Sequence, residues 1–310
     1  MKKAAIVGSG LIGRAWAIVF ARAGWSVTVW DPSEEVRRGF LAASRGDADA
    51  LAAHGLVNDA EAVVGRISVA ETLADALKSA VIVQENGPEK LDVKQALFVE
   101  IDRLAPAEAI IASSTSAITP SQFTEALPGR ARCLVGHPVN PPHLIPIVEL
   151  CGAPWTAPEV MDRAHAIYAE IGQSPIRVHG EPDGFILNRL QGALLAEAFR
   201  LVAEGAVSAE DLDLTLTDGL ARRWSFIGPL ATIELNAPGG IPDYCARYTG
   251  FYRRLAADAP GEQVFEAANV AKLVASWPHE AAPERLAKRT EWRNGRLAAL
   301  AAFLNTQNEE

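Results

Sequence analysis

The stretch that decides the fold is residues 4–13, which read AAIVGSGLIG. Its first half is an apolar run typical of a buried strand, and its second half is a Gly-x-Gly-x-x-Gly pattern that leads directly into the helical pattern of residues 15–23. In that setting the first glycine permits a tight turn, the second lets a diphosphate approach backbone N–H groups, and the third allows close packing of helix on strand. The stretch therefore predicts a dinucleotide site formed by Gly8, Gly10, Leu11, Ile12 and Gly13.

A carboxylate stands where the second predicted strand, residues 26–30, ends. Asp31 is at the position where a carboxylate bonds the ribose hydroxyls, and its charge would repel the extra phosphate of NADP. The predicted cofactor is therefore NAD. Arg14, just past the third glycine, is by sequence alone either a phosphate contact or a solvated helix residue.

Beyond this stretch, short β-branched runs alternate with longer helical patterns through the first half of the chain. Strands are predicted at residues 4–7, 26–30, 66–69, 81–84, 110–113 and 133–135. The alternation predicts an α/β fold with a Rossmann-like, doubly wound, mostly parallel sheet. Residues 34–65 carry apolar side chains at mostly helical spacing and predict a helical hairpin, because structureless loops of this length are rare.

After residues 176–178 the strand signals stop and only helical patterns follow. Pro182 and Gly184 lie at this junction, and proline is favoured near a helix start. The sequence predicts an NAD-binding domain over residues 1–181 and a smaller, all-helical domain for substrate binding and dimerisation over residues 182–310.

Composition excludes several classes of protein. The net charge of −9, without a run of basic residues longer than two, argues against nucleic-acid binding. No apolar stretch approaches the ~20 residues that span a bilayer, so a cytoplasmic enzyme is expected. Cys133, Cys151 and Cys245 are odd in number and widely spaced, which predicts structural thiols and no metal site.

Two polar segments follow predicted strands: residues 113–116, which read SSTS, and residues 136–142, which read GHPVNPP. In a doubly wound sheet ligands bind at the carboxyl ends of strands. A secondary alcohol loses its hydroxyl proton as hydride leaves carbon, and a neutral imidazole with an ordinary pKa of about 6.5 suits that task. By these residues alone, His137 is equally a base and a hydrogen-bonded turn residue, and Glu149 is equally its carboxylate partner and a surface acid.

The sequence resembles the 3-hydroxyacyl-CoA dehydrogenase family over residues 3–237. The segments that carry the resemblance are residues 8–13, Pro88-Glu89 with Lys94, residues 114–116, residues 136–141 and residues 184–190. The resemblance implies a Rossmann-like NAD domain, a helical dimerisation domain and a site in which His137 is the base and Glu149 its partner.

Four further residues match family positions. Ser116 and Asn188 match the positions that hydrogen-bond the substrate oxygen and the surroundings of the histidine. Glu89 and Lys94 match residues near the cofactor's ribose and nicotinamide, although by spacing alone they are a polar pair at a helix start.

The chain departs from the acyl-CoA enzymes at two places. It has Pro138-Val139 where those enzymes usually carry Phe-Phe, and residues 220–229 contain two arginines where they carry a small, glycine-rich segment. The planar fork of an arginine suits a carboxylate, so Arg223 is the predicted substrate ligand and Arg222 the alternative. Adjacent arginines are also typical of a helix C-terminus.

These departures resemble the lambda-crystallin, or L-gulonate 3-dehydrogenase, branch of the family. The predicted function is NAD-dependent oxidation of the 3-hydroxyl of a small free hydroxy acid, with a homodimer as the expected assembly. An acyl-CoA thioester, carnitine, and a crystallin-like structural role remain as alternatives. Carnitine would require an aromatic or acidic cage, and the sequence does not place Trp224, Phe226 or Tyr244.

Overall fold

A computed structural model describes residues 1–307, and the chain divides into two compact units. Unit 1 contains Met1–Asn188 together with the chain from Ala287 onward, and unit 2 contains Arg189–Leu286. The observed boundary follows Asn188, whereas the expected boundary was between residues 181 and 182. The last helix, from Ala287 onward, belongs to unit 1. The physical reason is apolar packing, because Ala298 is buried in the core of unit 1 and Leu297 packs against it.

Unit 1 is organised around one eight-stranded sheet in the order β3-β2-β1-β4-β5-β6-β7-β8. The strands are β1 Lys3–Val7, β2 Ser26–Trp30, β3 Ile67–Val69, β4 Ile82–Glu85, β5 Ile110–Ser113, β6 Cys133–Pro138, β7 Ile147–Gly152 and β8 Ser174–Val178. All neighbouring strands are parallel except β6 and β7. The predicted Rossmann-like sheet is confirmed, and β7 is a strand that the sequence analysis did not predict.

Both faces of the sheet are covered. Ala4 and Ile6 of β1 pack into one hydrophobic cluster and Ala5 and Val7 into the other, and none of the four is exposed. Such burial on two sides explains why the parallel strands are continuous apolar runs. The covering helices are α1 Leu11–Arg22, α2 Glu34–Ala53, α3 Ala60–Val64, α4 Leu73–Leu77, α5 Leu91–Leu104, α6 Pro120–Thr124 and α7 Pro158–Glu170.

The segment after β2 forms the predicted helical hairpin. Side chains cap both of its helices, because Ser33 Oγ accepts from Val36 N at 3.4 Å and Asp59 Oδ1 accepts from Ala62 N at 2.9 Å. These bonds satisfy N–H groups that the first turn of a helix leaves without partners.

Helices account for the regular structure described in unit 2. They are α8 Leu187–Ala203, which starts in unit 1, α9 Ala209–Leu214, α10 Ala221–Trp224, α11 Pro229–Leu235, α12 Gly240–Ala257 and α13 Ala267–Ser276, with a π-helical segment at Thr215–Leu220. The last helix, α14 Pro283–Leu304, begins here and continues on unit 1. The predicted all-helical second part is confirmed. Within residues 1–307, no helix has the length and apolarity needed to cross a bilayer.

Candidate active site

The glycine turn between β1 and α1, with the start of α1, contains three glycines, of which two have no room for a side chain and the third has. Gly8 has φ +87°, and a Cβ there would lie 2.7 Å from Asn86 O. A Cβ on Gly13 would lie 1.9 Å from Gly8 O, whereas one on Gly10 would meet no atom within 4 Å. Gly8 and Gly13 are thus required by the fold, and Gly10 leaves the space that a diphosphate needs.

The N-terminus of α1 offers donors to that space. Gly10 is the N-cap residue, no side chain caps the helix, and its first turn carries no acidic residue. Leu11, the first residue of α1, is 67% exposed. Uncapped N–H groups and the helix dipole together favour an anion at this position, so the turn fits the diphosphate of a dinucleotide.

Asp31 connects the glycine turn to the next helix. Its Oδ2 accepts from Ser9 N at 2.8 Å and its Oδ1 accepts from Ser33 N at 2.9 Å. Arg14 pairs with Asp47 of α2, with Nε 2.5 Å from Oδ2, so its guanidinium already has a carboxylate partner. The carboxylate of Asp31 is held at the end of β2, where ribose hydroxyls bind in this fold.

A buried ion pair lies beside the glycine turn, at the end of β4. Glu85 and Lys94 are 0% and 1% exposed, and Lys94 Nζ lies 2.8 Å from Glu85 Oε2. Ser113 Oγ and Gly87 N each donate to the same carboxylate at 2.6 Å. Lys94, which the resemblance puts near the cofactor's ribose and nicotinamide, is buried, and its ammonium contacts Glu85 and Ser113. Sequence analysis missed Glu85, because it is the last residue of an apolar strand and has no motif around it.

Glu89 fixes the turn that follows β5. Its Oε1 accepts from Thr115 Oγ1 at 2.5 Å, Ser116 N at 3.1 Å and Ala117 N at 3.0 Å. The carboxylate thus determines the path of the backbone at Ser116. This contact was not predicted, since residues 89 and 115 are far apart in sequence.

A second network joins the ends of β4 and β5 to α1 and α7. Ser114 Oγ donates to Asn86 Oδ1 at 2.7 Å and accepts from Trp16 Nε1 at 3.1 Å and Gln84 Nε2 at 2.7 Å. Tyr168 donates to Gln84 Oε1. Buried networks whose members are all satisfied make a local structure rigid.

The antiparallel pair β6 and β7 brings His137 and Glu149 face to face. The two residues are register partners, and His137 Nδ1 lies 2.8 Å from Glu149 Oε2. They are 6% and 1% exposed. Because an ionised carboxylate only accepts hydrogen bonds, this contact places the imidazole proton on Nδ1 and leaves Nε2 as the acceptor.

The start of α8 holds the other oxygen of Glu149. Ile186 N and Leu187 N each donate to Glu149 Oε1 at 2.9 Å. Burial opposes ionisation of this carboxyl, but the hydrogen bonds from His137, Leu187 and Ile186 outweigh burial and lower its pKa below the ordinary value. Glu149 is therefore a fixed anion behind the imidazole.

The same helix start also contacts the turn after β5. Asn188 Nδ2 donates to Ser116 O at 2.8 Å, and Ser116 is exposed. Phe185, buried just before this point at φ +50°, places its ring 5.6 Å from that of His137. Residues 185–188 thus organise both the histidine pair and the serine turn, and bulky residues at positive φ are concentrated at functional sites.

The two candidate arginines of unit 2 differ in their partners. Both are in the last turn of α10. Arg222 Nη2 lies 3.3 Å from Asp218 Oδ1, whereas no carboxylate within residues 1–307 forms an ion pair with Arg223. Within the same part of the chain, no cluster of three His, Cys, Asp or Glu side chains is arranged to hold a metal ion.

Aromatic side chains form a separate cluster along α12. The rings of Tyr244 and Tyr248 are 4.6 Å apart, and the hydroxyls of Tyr244 and Tyr252 are 2.7 Å apart. A cavity of about 440 Å³ lies over this cluster, and Arg253 lines it as well.

Two family models match the chain. The model for the NAD binding domain of 3-hydroxyacyl-CoA dehydrogenase matches residues 3–181, and the model for the C-terminal domain of the same enzymes matches residues 184–273. Together they cover most of the chain and indicate NAD as the cofactor.

Similar proteins agree with this match. Lambda-crystallin of Oryctolagus cuniculus is 42% identical over 96% of this chain and 94% of its own length. L-carnitine dehydrogenase of Streptomyces griseus is 42% identical over 78% of this chain and 72% of its own length. A crystal structure of 5-formyl-3-hydroxy-2-methylpyridine 4-carboxylic acid 5-dehydrogenase, an NAD⁺-dependent dismutase, superposes with a TM-score of 0.85 and 28% identity over 99% of this chain and 100% of that one.

Proposed function

We propose, from the premise that the chain belongs to the 3-hydroxyacyl-CoA dehydrogenase family, that it oxidises the 3-hydroxyl of a small free hydroxy acid of the L-gulonate type. The product would be the 3-oxo acid, and His137 is the general base. The observation that carries this proposal is the buried hydrogen bond of 2.8 Å between His137 Nδ1 and Glu149 Oε2. It leaves Nε2 as the atom that receives the hydroxyl proton.

Each residue of the constellation has one task in the proposed reaction. His137 Nε2 takes the proton, and Glu149, already ionised, stabilises the imidazolium that results. The Ser116 hydroxyl binds the substrate oxygen, and Asn188 keeps the serine turn in place through its bond to Ser116 O. General-base catalysis of this kind contributes a rate factor of about 10²–10⁴.

The cofactor site follows from the geometry of the glycine turn. Gly8, Gly10 and Gly13 with the N–H groups of Leu11 and Ile12 would hold the diphosphate, and Asp31 the ribose hydroxyls. Glu89 and Lys94 support this site through the loops they fix. When bound, NAD supplies the acceptor for the hydride.

Arg223 is the proposed ligand for the substrate carboxylate. Its guanidinium is exposed and forms no ion pair with the carboxylates of residues 1–307, so its fork is open to an anion. The solved relative acts, by its name, on a carboxylic acid. This likeness favours a free acid over a thioester.

Carnitine is the second candidate substrate. The tyrosine cluster of Tyr244, Tyr248 and Tyr252 offers the aromatic faces that attract a quaternary ammonium, and one relative is named L-carnitine dehydrogenase. Arg253 beside the cluster repels a cation, which is why the hydroxy acid without an ammonium group is preferred.

A homodimer is part of the proposal. Large apolar side chains of unit 2 are exposed, among them Phe226 at 68%, Leu230 at 69% and Leu235 at 75%. Apolar surface on a small helical unit is typically buried against a second copy. A cytoplasmic location is likewise proposed, on the composition of the chain alone.

The test is NADH formation by the purified protein with L-gulonate, L-carnitine and L-3-hydroxybutyrate, together with NADH loss with acetoacetyl-CoA. We expect turnover with L-gulonate or another free hydroxy acid. A strong preference for acetoacetyl-CoA would reject the free-acid proposal. The absence of turnover with every compound would favour a crystallin-like structural role. In the same assay Arg223→Ala should raise the KM of the acid about 10- to 100-fold, whereas the matched Arg222→Ala should not.

A further inference from the structure

The last helix completes a small polar cavity in unit 1. The cavity has a volume of about 200 Å³ and is lined from α1, α2, the loop after β6 and α14. Its polar side chains include Arg14, Asp47, Asn140, His143, Arg293 and Asn294. We call it the Arg293 cavity.

Two of the lining residues show where the Arg293 cavity lies. Leu11, which lines it, is the first residue of α1 and directly follows the open glycine of the turn. Asn140, on another wall, comes three residues after His137. The cavity therefore adjoins both the diphosphate site and the loop that follows the strand of the proposed base.

The charges around the cavity leave one cation without a counter-charge. Arg14 and Asp47 neutralise each other at 2.5 Å. Arg293 donates to Asn294 Oδ1 from Nε at 3.2 Å and from Nη2 at 2.9 Å, and no carboxylate of residues 1–307 forms an ion pair with it. A guanidinium has five donors in a planar fork, so most of those of Arg293 remain available to an oxygen anion.

His143 adds a second, independent observation. Its Nδ1 atom is buried and has no hydrogen-bond partner within residues 1–307, while its carbonyl oxygen accepts from Arg22 Nη1 at 2.8 Å. Burial lowers the pKa of His143 to about 4, despite the opposing effect of Asp47, so the ring is neutral at neutral pH. A buried polar atom without a partner is unfavourable, and a ligand that accepts a hydrogen bond from this ring removes that cost.

We propose that α14 completes an oxyanion site in which Arg293, with Asn294 and His143, binds an anionic oxygen group of a bound molecule. Two proposed ligands carry such a group, the cofactor with its diphosphate and the substrate with its carboxylate. Because Leu11 lines the cavity, the expected ligand is the diphosphate. Only the substrate alternative rests on the proposed function.

The packing of α14 explains how a distant part of the chain reaches this site. Ala298, five residues after Arg293, is 4% exposed and belongs to the core of unit 1. The buried contact anchors the helix one turn from the cavity. The sequence analysis placed residues 182–310 in one separate domain and so gave no reason to look for Arg293 beside the glycine turn.

The experiment compares Arg293→Ala with Arg296→Ala, a matched variant with the same loss of charge at an exposed position of the same helix that does not line the cavity. Affinity is measured by fluorescence titration with NADH and by displacement of NADH with ADP-ribose or AMP. We expect Arg293→Ala to weaken NADH and ADP-ribose binding about 10-fold or more, since a charge-assisted hydrogen bond is lost. AMP carries only one of the two phosphates and should be weakened less than ADP-ribose, and Arg296→Ala should behave as the unmodified protein.

The outcomes separate the two sources of the anion. If Arg293→Ala leaves NADH and ADP-ribose affinity unchanged but raises the KM of the hydroxy acid, the site binds the substrate carboxylate. If affinity and KM are all unchanged in a variant that melts like the unmodified protein, the oxyanion site is wrong. If no hydroxy acid is turned over, the proposed function fails by itself, and the NADH and ADP-ribose titrations alone decide whether the site exists.

Discussion

Two buried carboxylates at the ligand edge of the sheet have nearly the same surroundings and different partners. Glu85 ends β4 and Glu149 lies within β7, and they are 0% and 1% exposed. Each accepts backbone N–H groups, from Gly87 in one case and from Ile186 and Leu187 in the other. Glu85 has a lysine as its partner, and Glu149 has a histidine.

The two partners suit different roles. Lys94 stabilises the fold, and His137 is the base of the proposed reaction. The ammonium of Lys94 and the carboxylate of Glu85 form a buried ion pair that joins β4 to α5. His137 Nε2, by contrast, is the atom that takes the hydroxyl proton in the proposed reaction. In the proposed reaction Glu149 faces a cation that forms only when His137 takes the proton, whereas Glu85 faces the ammonium of Lys94.

The largest expected effect comes from removing the partner of Glu149. His137→Ala should lower kcat about 10³- to 10⁴-fold, because the acceptor of the hydroxyl proton is lost. NADH affinity should change little, and the unfolding free energy should fall by about 1.5–3 kcal/mol, because Glu149 loses one charge-assisted hydrogen bond and keeps two backbone donors. Steady-state kinetics, NADH titration and urea unfolding measure the three quantities, with His179→Ala, an exposed histidine, as the matched control. Turnover near that of the unmodified protein would exclude His137 as the base.

The partner of Glu85 should show the opposite pattern, a large effect on stability. Lys94→Met leaves a buried carboxylate without its counter-charge and should lower the unfolding free energy by about 3–5 kcal/mol. Urea unfolding measures this, with Lys90→Met at an exposed position of the same helix start as the control.

A double variant tests whether the loss of stability comes from the unpaired charge or from altered packing. Glu85→Gln combined with Lys94→Met removes both charges and should recover much of the lost stability, because no unpaired buried charge remains. If the double variant is as unstable as Lys94→Met alone, the ion pair is not the reason for the loss.

The contrast also shows which features the sequence was able to predict. The glycine turn, Asp31 and the helical hairpin were predicted because each depends on neighbouring residues and a local period. β7 was missed because Glu149 interrupts an apolar run of ordinary strand length. Its burial depends on the antiparallel register with β6, which is a tertiary feature.

The supporting contacts were beyond prediction for the same reason. Glu85 reaches Lys94 and Ser113, and Glu89 reaches the turn after β5, across sequence distances that no local pattern records. The family resemblance supplied His137, Glu149, Ser116 and Asn188 as candidates, and their roles in the reaction remain predictions. The return of α14 to unit 1 depends on packing around Ala298 and was not foreseen.

The smallest expected effect concerns the charge of Glu149 itself. Its pKa is lower in the folded chain than in the unfolded chain, where it is about 4.3. Its charge therefore stabilises the fold fully above the unfolded value, and this contribution is lost as the pH falls through the folded value. Glu149→Gln should lower the unfolding free energy by about 1–2 kcal/mol at pH 7, and this difference from the unmodified protein should shrink below pH ~4.3.

Urea unfolding of both proteins between pH 7 and pH 3 measures that difference, and Glu159→Gln at an exposed position of α7 is the matched control. The control should show no such change, because an exposed carboxylate has little to gain from folding. A difference that grows on acidification would mean that burial, which disfavours the anion, outweighs the three hydrogen bonds to Glu149. In that case the pKa of Glu149 would lie above its unfolded value, and the distinction between an anion behind the proposed base and the ion pair at Glu85 would no longer hold.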